Sequence, residues 1–340
     1  MATVCVFGAG AFGTALALYH QRLGHGARVW AFDDGLPEQV AREGENRAYL
    51  PDVKLPSEIL FTNDPEEARA GADLVLLAVP SAHMRAVAKT VRPLLGDVGV
   101  VSLAKGIEAG THAFMNQVLE EELPEHRDRL CFLSGPSFAR EIAKGLPADA
   151  ALASHDITVA RSVQAIMHSA AFRIYTSNDV VGVELGGALK NVVAVACGAA
   201  DGLGFGASGR ASLMTRGLAE ITRLGVALGA NPLTFLGLAG VGDLILTCTG
   251  DLSRNRQLGK RLAAGEKASD IVGGQKAVAE GYVTAKPVYE LAQKMNVDMP
   301  ISTAVYRVLY EGQDLLTAAQ GLMNREMKDE LHGIFPLKGQ

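Results

Sequence analysis

The sequence predicts two domains, an α/β domain with a doubly wound parallel sheet followed by an all-α domain. In the first half, short β-branched runs alternate with helix-like segments, which is the pattern of βαβ units. After residue 178, long helical segments follow one another and strand patterns nearly disappear. The 340 residues, of which 48% are hydrophobic, are enough for two cores. We therefore expect the domains at residues 1–178 and 179–340.

Hydrophobic spacing places the individual elements. Strands are predicted at residues 3–7, 28–32, 74–79, 98–103, 130–133, 150–153 and 172–175. Helices of the first domain are predicted at residues 11–23, 36–43, 82–95 and 113–122. Helices of the second domain are predicted at residues 179–200, 208–228, 279–295, 299–311 and 314–323. No internal repeat of fixed period is visible.

Composition excludes several classes of function. The net charge is −5 and no block of Lys or Arg stands out, which excludes nucleic-acid or acidic-membrane binding as the main function. The four cysteines are scattered without a C-x-x-C pair, so we expect reduced core thiols, no disulfide framework and no metal site. The first strand begins at residue 3, which leaves no room for a targeting peptide and predicts a cytoplasmic protein, with an organelle still open.

A glycine loop follows the first predicted strand. Gly8, Gly10 and Gly13 form G-x-G-x-x-G between a strand and a helix, the context that gives this motif its meaning. Gly8 allows the tight turn, Gly10 lets the backbone approach a pyrophosphate, and Gly13 lets the helix pack on the strand. The alternative is a glycine-rich turn without a ligand. The loop predicts a Rossmann-type dinucleotide-binding domain.

Two acidic residues end the second predicted strand. Asp33 lies about 20 residues past Gly13, where a carboxylate binds the adenosine ribose hydroxyls, and Asp34 adds a second negative charge. Both would repel a 2′-phosphate unless Arg28 or another base reaches it. We therefore expect NAD(H) to be preferred, with NADP(H) possible. The alternative is that both aspartates are solvated turn residues.

A lysine occupies the middle of the most apolar helix predicted. Lys190 lies in the run at residues 180–200, where small residues recur every four positions on its face. Burial disfavours the charged form of a lysine, which suits proton transfer. The glycines around it would leave room for substrate and nicotinamide. The alternatives are a core helix whose lysine reaches the surface and a membrane span, against which Glu184, Asn191 and Lys190 itself argue.

Four other polar segments lie in glycine-rich contexts. Lys105 and Ser137 follow predicted strands, whose carboxyl ends face the ligand crevice of such sheets. Asp243 follows two glycines and could orient Lys190, and Ser253, Arg254 and Asn255 supply a hydroxyl, a guanidinium fork and an amide. This set of donors suits a phosphate. The alternatives are Lys105 and Arg254 as solvated loop residues, Ser137 as a helix N-cap and Asp243 as a turn or cap residue.

Longer motifs resemble one family. The chain resembles NAD(P)-dependent glycerol-3-phosphate dehydrogenase of the bacterial type in six segments that run in the expected order. They are GAGAFGTALA (8–17), SLAKGIE (102–108), SGPSFAREIAKGLP (134–147), GVELGGALKNVVAVACGAADGLGFG (182–206), GLAGVGDLILTCTGDLSRNRQLG (237–259) and VAEGYVTAK (278–286).

The resemblance implies a fold, a reaction and a set of site residues. The second domain should be similar to that of 6-phosphogluconate dehydrogenase, and the reaction should interconvert sn-glycerol 3-phosphate and dihydroxyacetone phosphate for glycerolipid synthesis. Lys190 matches the proton acceptor, with Lys105 and Asp243 as further catalytic groups. The matched substrate-binding residues are Lys105, Gly135, Ser137, Lys190, Asp243, Ser253, Arg254 and Asn255. The matched cofactor-binding residues are Gly8, Gly10, Ala11, Phe12, Gly13, Phe32, Asp33, Lys105, Ala139, Arg254, Val278 and Glu280.

One departure from the family and two rival functions bear on this hypothesis. Many bacterial relatives carry Arg or His where this chain has Phe32, so the departure favours NAD(H). The expected partner is a small phosphorylated substrate, and by analogy we expect a homodimer. A dehydrogenase for another small acid or polyol phosphate is one rival. A non-catalytic dinucleotide sensor is the other, and it would need no lysine at position 190.

Overall fold

The computed structural model describes residues 1–273, 279–327 and 329–330. The chain folds into two compact units. The first comprises Met1–Lys105 and Ala113–Val180, and the second comprises Gly106–His112 together with the chain from Val181 onward. The segment Gly106–His112, which the sequence division assigned to the first domain, therefore packs with the helical unit.

The first unit is built on an eight-stranded sheet. Its strands are β1 (Thr3–Phe7), β2 (Gly26–Trp30), β3 (Leu60–Thr62), β4 (Leu74–Leu77), β5 (Gly99–Ser102), β6 (Leu130–Ser134), β7 (Ala148–Ala153) and β8 (Phe172–Ser177). They are arranged in the order β3-β2-β1-β4-β5-β6-β7-β8. The strands from β3 to β6 pair in parallel, β7 is antiparallel to β6, and β8 is parallel to β7. Strand order reverses beside β1, where such sheets bind their ligands.

Helices connect these strands. They are α1 (Ala11–Arg22), α2 (Leu36–Glu43), α3 (Pro65–Arg69), α4 (Met84–Val91), α5 (Met115–Glu122), α6 (Ala139–Ala143) and α7 (Ile157–Met167). The helix predicted at residues 82–95 is broken into 3₁₀ turns at Ser81–His83 and Arg92–Leu94 around α4. Pro93 explains the second break, because proline has no N–H to continue the helical hydrogen bonds.

The core of the first unit explains why these segments pack. Val4 and Val6 of β1, Leu74 and Leu76 of β4, and Leu16 of α1 are at most 1% exposed and belong to one cluster. Apolar residues cover the central strands almost continuously, which is typical of parallel sheets buried on both faces. The cysteines Cys5 and Cys131 are buried, reduced members of the same sheet.

The second unit consists of helices in its described part. They are α8 (Val180–Gly202), α9 (Gly206–Ala227), α10 (Asp243–Thr249), α11 (Arg254–Ala263), α12 (Ala268–Gly273), α13 (Glu280–Met295), α14 (Pro300–Tyr310) and α15 (Leu315–Met323). A π-helical turn, Leu238–Gly242, leads into α10. Together with the sheet, these helices confirm the predicted fold class of a doubly wound α/β domain followed by a helical domain.

Helix α8 is long, apolar and largely buried. Among the described residues it is the one helix that is long and apolar enough to cross a membrane. However, 89% of its most apolar stretch is buried inside the protein. Val192 and Val195 of α8 pack with Leu258 of α11 and Val305 of α14 in one core cluster. Such burial is typical of a core helix rather than a membrane span.

Candidate active site

The glycine loop of the first unit has the geometry of a dinucleotide site. A Cβ on Gly8 would lie 2.5 Å from the Ala78 carbonyl oxygen, and Gly8 has a φ of +119° that side chains rarely adopt. A Cβ on Gly13 would lie 2.0 Å from the Gly8 oxygen, whereas Gly10 faces open space. The loop therefore needs its first and third glycines for packing, and Gly10 leaves room for a pyrophosphate at the start of α1.

A buried asparagine holds this loop. Asn46, which is 0% exposed, donates from Nδ2 to the Ala9 carbonyl oxygen at 2.8 Å and to Thr14 Oγ1 at 2.9 Å. Ala11 and Phe12, two predicted cofactor residues, begin α1 directly behind the loop, and no side chain caps the amides of that helix end. The uncapped helix start suits an anionic group, because its N–H groups and dipole favour negative charge.

The end of β2 presents an aromatic ring and a carboxylate to solvent. Phe32 is 81% exposed and packs edge-on against Trp30, and Asp33 and Asp34 are exposed. The Asp33 carboxylate accepts a hydrogen bond from the Tyr49 hydroxyl. This contact raises the pKa of Tyr49 to about 12 and keeps its phenol protonated. Tyr49 thus orients the carboxylate expected to bind ribose, and the sequence reasoning did not find it.

Arg28 is engaged elsewhere. Its Nη1 donates to the carbonyl oxygens of Glu67, at 3.3 Å, and of Ala70. These contacts anchor β2 to α3. A guanidinium held by two carbonyl oxygens is tied to the scaffold, so Arg28 makes a poor partner for a 2′-phosphate.

Lys105 lies near the predicted substrate residues that follow β6. Its Nζ donates to the Gly135 carbonyl oxygen at 3.0 Å, and Ser137 Oγ donates to the same oxygen at 3.1 Å. A Cβ on Gly135 would lie 2.7 Å from Ala150 Cα, so this position requires glycine. Ala139 is the first residue of α6 and Phe138 is its N-cap. Ser137 is therefore not the helix cap that the alternative interpretation proposed.

In the helical unit, the Lys190 side chain is buried and makes polar contacts with α10. Its Nζ forms an ion pair with Asp243 Oδ1 and donates to Thr247 Oγ1 at 2.8 Å. The Lys190 side chain is 8% exposed and that of Asp243 is 1% exposed. Thr247 in turn donates to the Asp243 carbonyl oxygen at 2.7 Å. These contacts rule out a lysine that reaches the surface, and they show the expected carboxylate partner in place.

The small residues on the lysine's helix face have a different use from the one expected. A Cβ on Gly186 would lie 2.4 Å from the Ala239 carbonyl oxygen, and one on Gly198 would lie 2.0 Å from the Arg256 carbonyl oxygen. These glycines let other backbone segments of the same unit touch α8, so the expectation that they leave room for substrate was wrong at both positions. The contact at Gly186 packs α8 against the π-helical turn that leads to Asp243.

The three polar residues before and within α11 have separate surroundings. Ser253 is 3% exposed and caps α11, accepting a hydrogen bond from the Arg256 amide at 3.2 Å. Asn255 is 8% exposed, donating to Asn191 Oδ1 and accepting from the Gly281 amide, both at 2.8 Å. Arg254 between them is exposed. The amide of Asn255 thus joins α8, α11 and α13.

Two predicted cofactor residues remain. Glu280 begins α13 and interacts electrostatically with Arg254. Val278 lies outside the described residues. The structure thus brings the predicted residues together in two groups. One lies at the carboxyl ends of the strands in the first unit, and the other surrounds Lys190 and the start of α11 in the helical unit.

Comparison with known proteins identifies the family. Residues 3–160 match the N-terminal domain of NAD-dependent glycerol-3-phosphate dehydrogenase, and residues 179–320 match its C-terminal domain. The chain belongs to the NAD-dependent glycerol-3-phosphate dehydrogenase family. It is therefore an NAD(P)-dependent oxidoreductase.

Individual relatives agree with this membership. The chain is 48% identical over 328 residues to glycerol-3-phosphate dehydrogenase (NAD(P)+) of Syntrophotalea carbinolica, covering 96% of this chain and 98% of the relative. The corresponding protein of Anaeromyxobacter sp. (strain K) is 49% identical over 328 residues, with 96% and 99% covered. The crystal structure of glycerol-3-phosphate dehydrogenase from Coxiella burnetii superposes with a TM-score of 0.90 at 35% identity, covering 95% of this chain and 99% of that one.

The sequence analysis missed several residues that lie beside the predicted site residues in the structure. Thr247 lies one helical turn after Asp243 and Asn191 follows Lys190 directly, so spacing offered a signal for both. Asn46 and Tyr49 carried no such signal, because they come from a loop whose course the sequence did not predict. Each of the four binds a predicted residue or supports its loop.

Proposed function

We propose that this chain interconverts sn-glycerol 3-phosphate and dihydroxyacetone phosphate, with Lys190 as the proton acceptor and donor. The observation that carries the proposal is the buried contact of Lys190 with Asp243 and Thr247 in a member of this family. A lysine held away from water by a carboxylate and a hydroxyl is oriented for proton transfer. The product would supply glycerol 3-phosphate for glycerolipid synthesis.

The residues of the glycine loop fit a dinucleotide, which when bound supplies the hydride acceptor or donor for C2 of the substrate. In the oxidising direction, Lys190 in its neutral amine form takes the proton from the C2 hydroxyl at Nζ and becomes the ammonium. In the reducing direction, the Lys190 ammonium polarises the C2 carbonyl and returns the proton. Asp243 orients Lys190 and balances its charge, and Lys105 fixes the hydroxyl end of the substrate together with Gly135 and Ser137.

Arg254 is the proposed anchor of the phosphate. Arg254 is exposed, and its guanidinium can form a charge-assisted, two-point contact with phosphate oxygens. Ser253 and Asn255 support this role by fixing the backbone on both sides of Arg254, and both remain proposed substrate contacts themselves. Binding energy at the phosphate would orient the reacting carbon.

NAD(H) is the proposed preferred cofactor. Asp33 and Asp34 present negative charge where NADP(H) carries its 2′-phosphate, Phe32 offers no base, and Arg28 is tied to carbonyl oxygens. Glu280 and Ala139 are further proposed cofactor contacts. The enzyme would act in the cytoplasm as a homodimer. Sedimentation equilibrium tests the dimer, and a species with the mass of one chain would contradict it.

The deciding experiment follows NADH oxidation with dihydroxyacetone phosphate, and repeats it with NADPH and with unphosphorylated dihydroxyacetone. We expect turnover with the phosphorylated substrate, a higher kcat/KM with NADH than with NADPH, and a large loss with dihydroxyacetone. Equal rates with and without the phosphate would point to a different small substrate. Tight NADH binding without turnover would favour the dinucleotide sensor.

Arg254→Ala tests the phosphate anchor. We expect KM for dihydroxyacetone phosphate to rise by about 10–100-fold, because a hydrogen bond to a charged group contributes about 1.5–3 kcal/mol. Arg307→Ala, which removes an exposed arginine from α14, is the matched control and should leave KM unchanged. An unchanged KM in the Arg254 variant would remove this residue from the site.

A further inference from the structure

A buried ion pair joins the end of α8 to the first turn of α11. Arg256 donates from Nε to Asp201 Oδ2 at 2.8 Å, and its Nη2 lies 2.7 Å from the same oxygen. Both side chains are 9% exposed. At this low exposure the two opposite charges attract each other strongly, so they hold each other in place.

Two further charged residues complete the arrangement. Arg210 of α9 donates to the second oxygen of Asp201, Oδ1, at 2.6 Å. Asp251, whose side chain is 88% exposed, accepts from Arg256 Nη1 at 2.7 Å. The Arg256 fork thus has fixed partners on both sides, and the Asp201 carboxylate is bound through both oxygens. The start of α11 is thereby attached to the end of α8 and to α9.

The backbones of α8 and α11 also touch. A Cβ on Gly198 would lie 2.0 Å from the Arg256 carbonyl oxygen, and one on Gly259 would lie 2.1 Å from the Val195 carbonyl oxygen. Each helix has a glycine packed against the main chain of the other, so neither helix can rotate or slide without a steric clash. Lys190 and Arg254 belong to these same two helices, and their separation is fixed by this contact.

Arg254 lies between three residues that are each held. Ser253 caps the helix, Asn255 binds Asn191 and Gly281, and Arg256 binds Asp201. Three of these four successive residues are buried, and Arg254 alone is exposed. The phosphate anchor therefore projects from a backbone segment that has little freedom of its own.

We propose that Asp201 and Arg256 are positioning residues that aim Arg254 at the phosphate of the substrate. This inference rests on the proposed function, because it assumes that Arg254 binds a phosphate. Neither residue of the pair touches substrate. A guanidinium is required at position 256 because its planar fork contacts Asp201 and Asp251 at once, whereas a lysine ammonium is a single point of charge.

The test compares Arg256→Lys with wild type on dihydroxyacetone phosphate and on dihydroxyacetone. We expect KM for the phosphorylated substrate to rise by about 10–100-fold, because small displacements of a positioning group cost that much, with kcat changed less than about threefold. Activity on dihydroxyacetone should stay within about threefold of wild type, because it has no phosphate for Arg254 to bind. Arg261→Lys, at a partly exposed arginine of α11 paired with Glu266, is the matched control and should leave the kinetics with both substrates unchanged.

A double variant separates positioning from general stability. In the Arg254→Ala background, Arg256→Lys should cause no further loss on dihydroxyacetone phosphate, because both changes remove the same interaction. Equal losses on both substrates, independent multiplied effects in the double variant, or a normal KM in folded Arg256→Lys would each overturn the proposal.

If Arg256→Lys fails to fold, Asp201→Asn is tested in its place. Its loss on dihydroxyacetone phosphate relative to its loss on dihydroxyacetone then decides. Failure of both variants to fold would assign the pair to stability alone and would also overturn the proposal. Wild-type turnover of dihydroxyacetone phosphate tests the proposed function separately. The kinetics of the variants relative to wild type test the role of Asp201 and Arg256.

Discussion

Substitution of Lys190 by Met removes one charge of a buried ion pair, and its effects on stability and on turnover can be worked out separately. The Asp243 carboxyl would be left at 1% side-chain exposure without its lysine partner. Breaking a buried pair in this way costs about 3–5 kcal/mol. At about 2–4 °C per kcal/mol for a unit of this size, the melting temperature should fall by roughly 6–20 °C.

Turnover should fall for a different reason. A general acid–base group contributes about 10²–10⁴-fold, so kcat with NADH and dihydroxyacetone phosphate should drop by that factor. NADH binding should persist, because the glycine loop belongs to the other compact unit. Stopped-flow kinetics and NADH fluorescence titration measure the two quantities.

The double variant Lys190→Met/Asp243→Asn distinguishes these effects. It removes the unpaired carboxylate, so it should recover most of the lost melting temperature and none of the lost turnover. Lys294→Met, at an exposed position of α13, is the matched control and should change stability by less than about 0.5 kcal/mol. Turnover within about tenfold of wild type in Lys190→Met would refute its role in proton transfer. A double variant as unstable as the single one would refute the electrostatic explanation.

Three further changes test other parts of the structure. Gly198→Ala should lower the free energy of unfolding by about 3 kcal/mol, because the added Cβ would lie 2.0 Å from a backbone oxygen. Gly321→Ala, in open space on α15, is the control and should be neutral or stabilising. Urea titration measures both free energies of unfolding. Burial lowers the pKa of His20 to about 3, so between about pH 6.5 and about pH 3 the unfolded state alone takes up a proton. Across that range the free energy of unfolding should fall by up to about 1.4 kcal/mol per pH unit, and less steeply in His20→Leu. Phe32→Arg should raise the ratio of NADPH to NADH kcat/KM at least about tenfold, and an unchanged ratio would place the 2′-phosphate elsewhere.

The sequence was sufficient for most strands of the sheet and for the contact between Lys190 and Asp243. Alternating β-branched runs and the glycine loop predicted the parallel strands and the order of elements, because both patterns follow directly from burial and backbone geometry. It did not reveal β3, which has three residues, or the reversed direction of β7. Strand direction depends on the path of the connection, which hydrophobic periodicity does not record.

The pairing of Lys190 with Asp243 could be predicted because a buried lysine requires an opposite charge and few carboxylates lie in apolar surroundings. The use of the glycines could not. Small residues on a helix face are equally consistent with space for a ligand and with close contact of another backbone, and only the position of Ala239 and Arg256 distinguishes the two. Asn255 shows the same ambiguity, since an amide can bind substrate, backbone or another side chain, and the sequence did not reveal its contacts with Asn191 and Gly281.

The reciprocal glycines of α8 and α11 restrict how this enzyme can change over evolution. Because Gly198 and Gly259 each face the other helix's main chain, a larger residue at either position requires both helices to move at once. Single mutations can therefore replace the exposed Arg254, but they cannot shift the contact between α8 and α11 that fixes its position. Laboratory selection for a new substrate should find its solutions in the exposed side chains at the start of α11, with the two glycines unchanged.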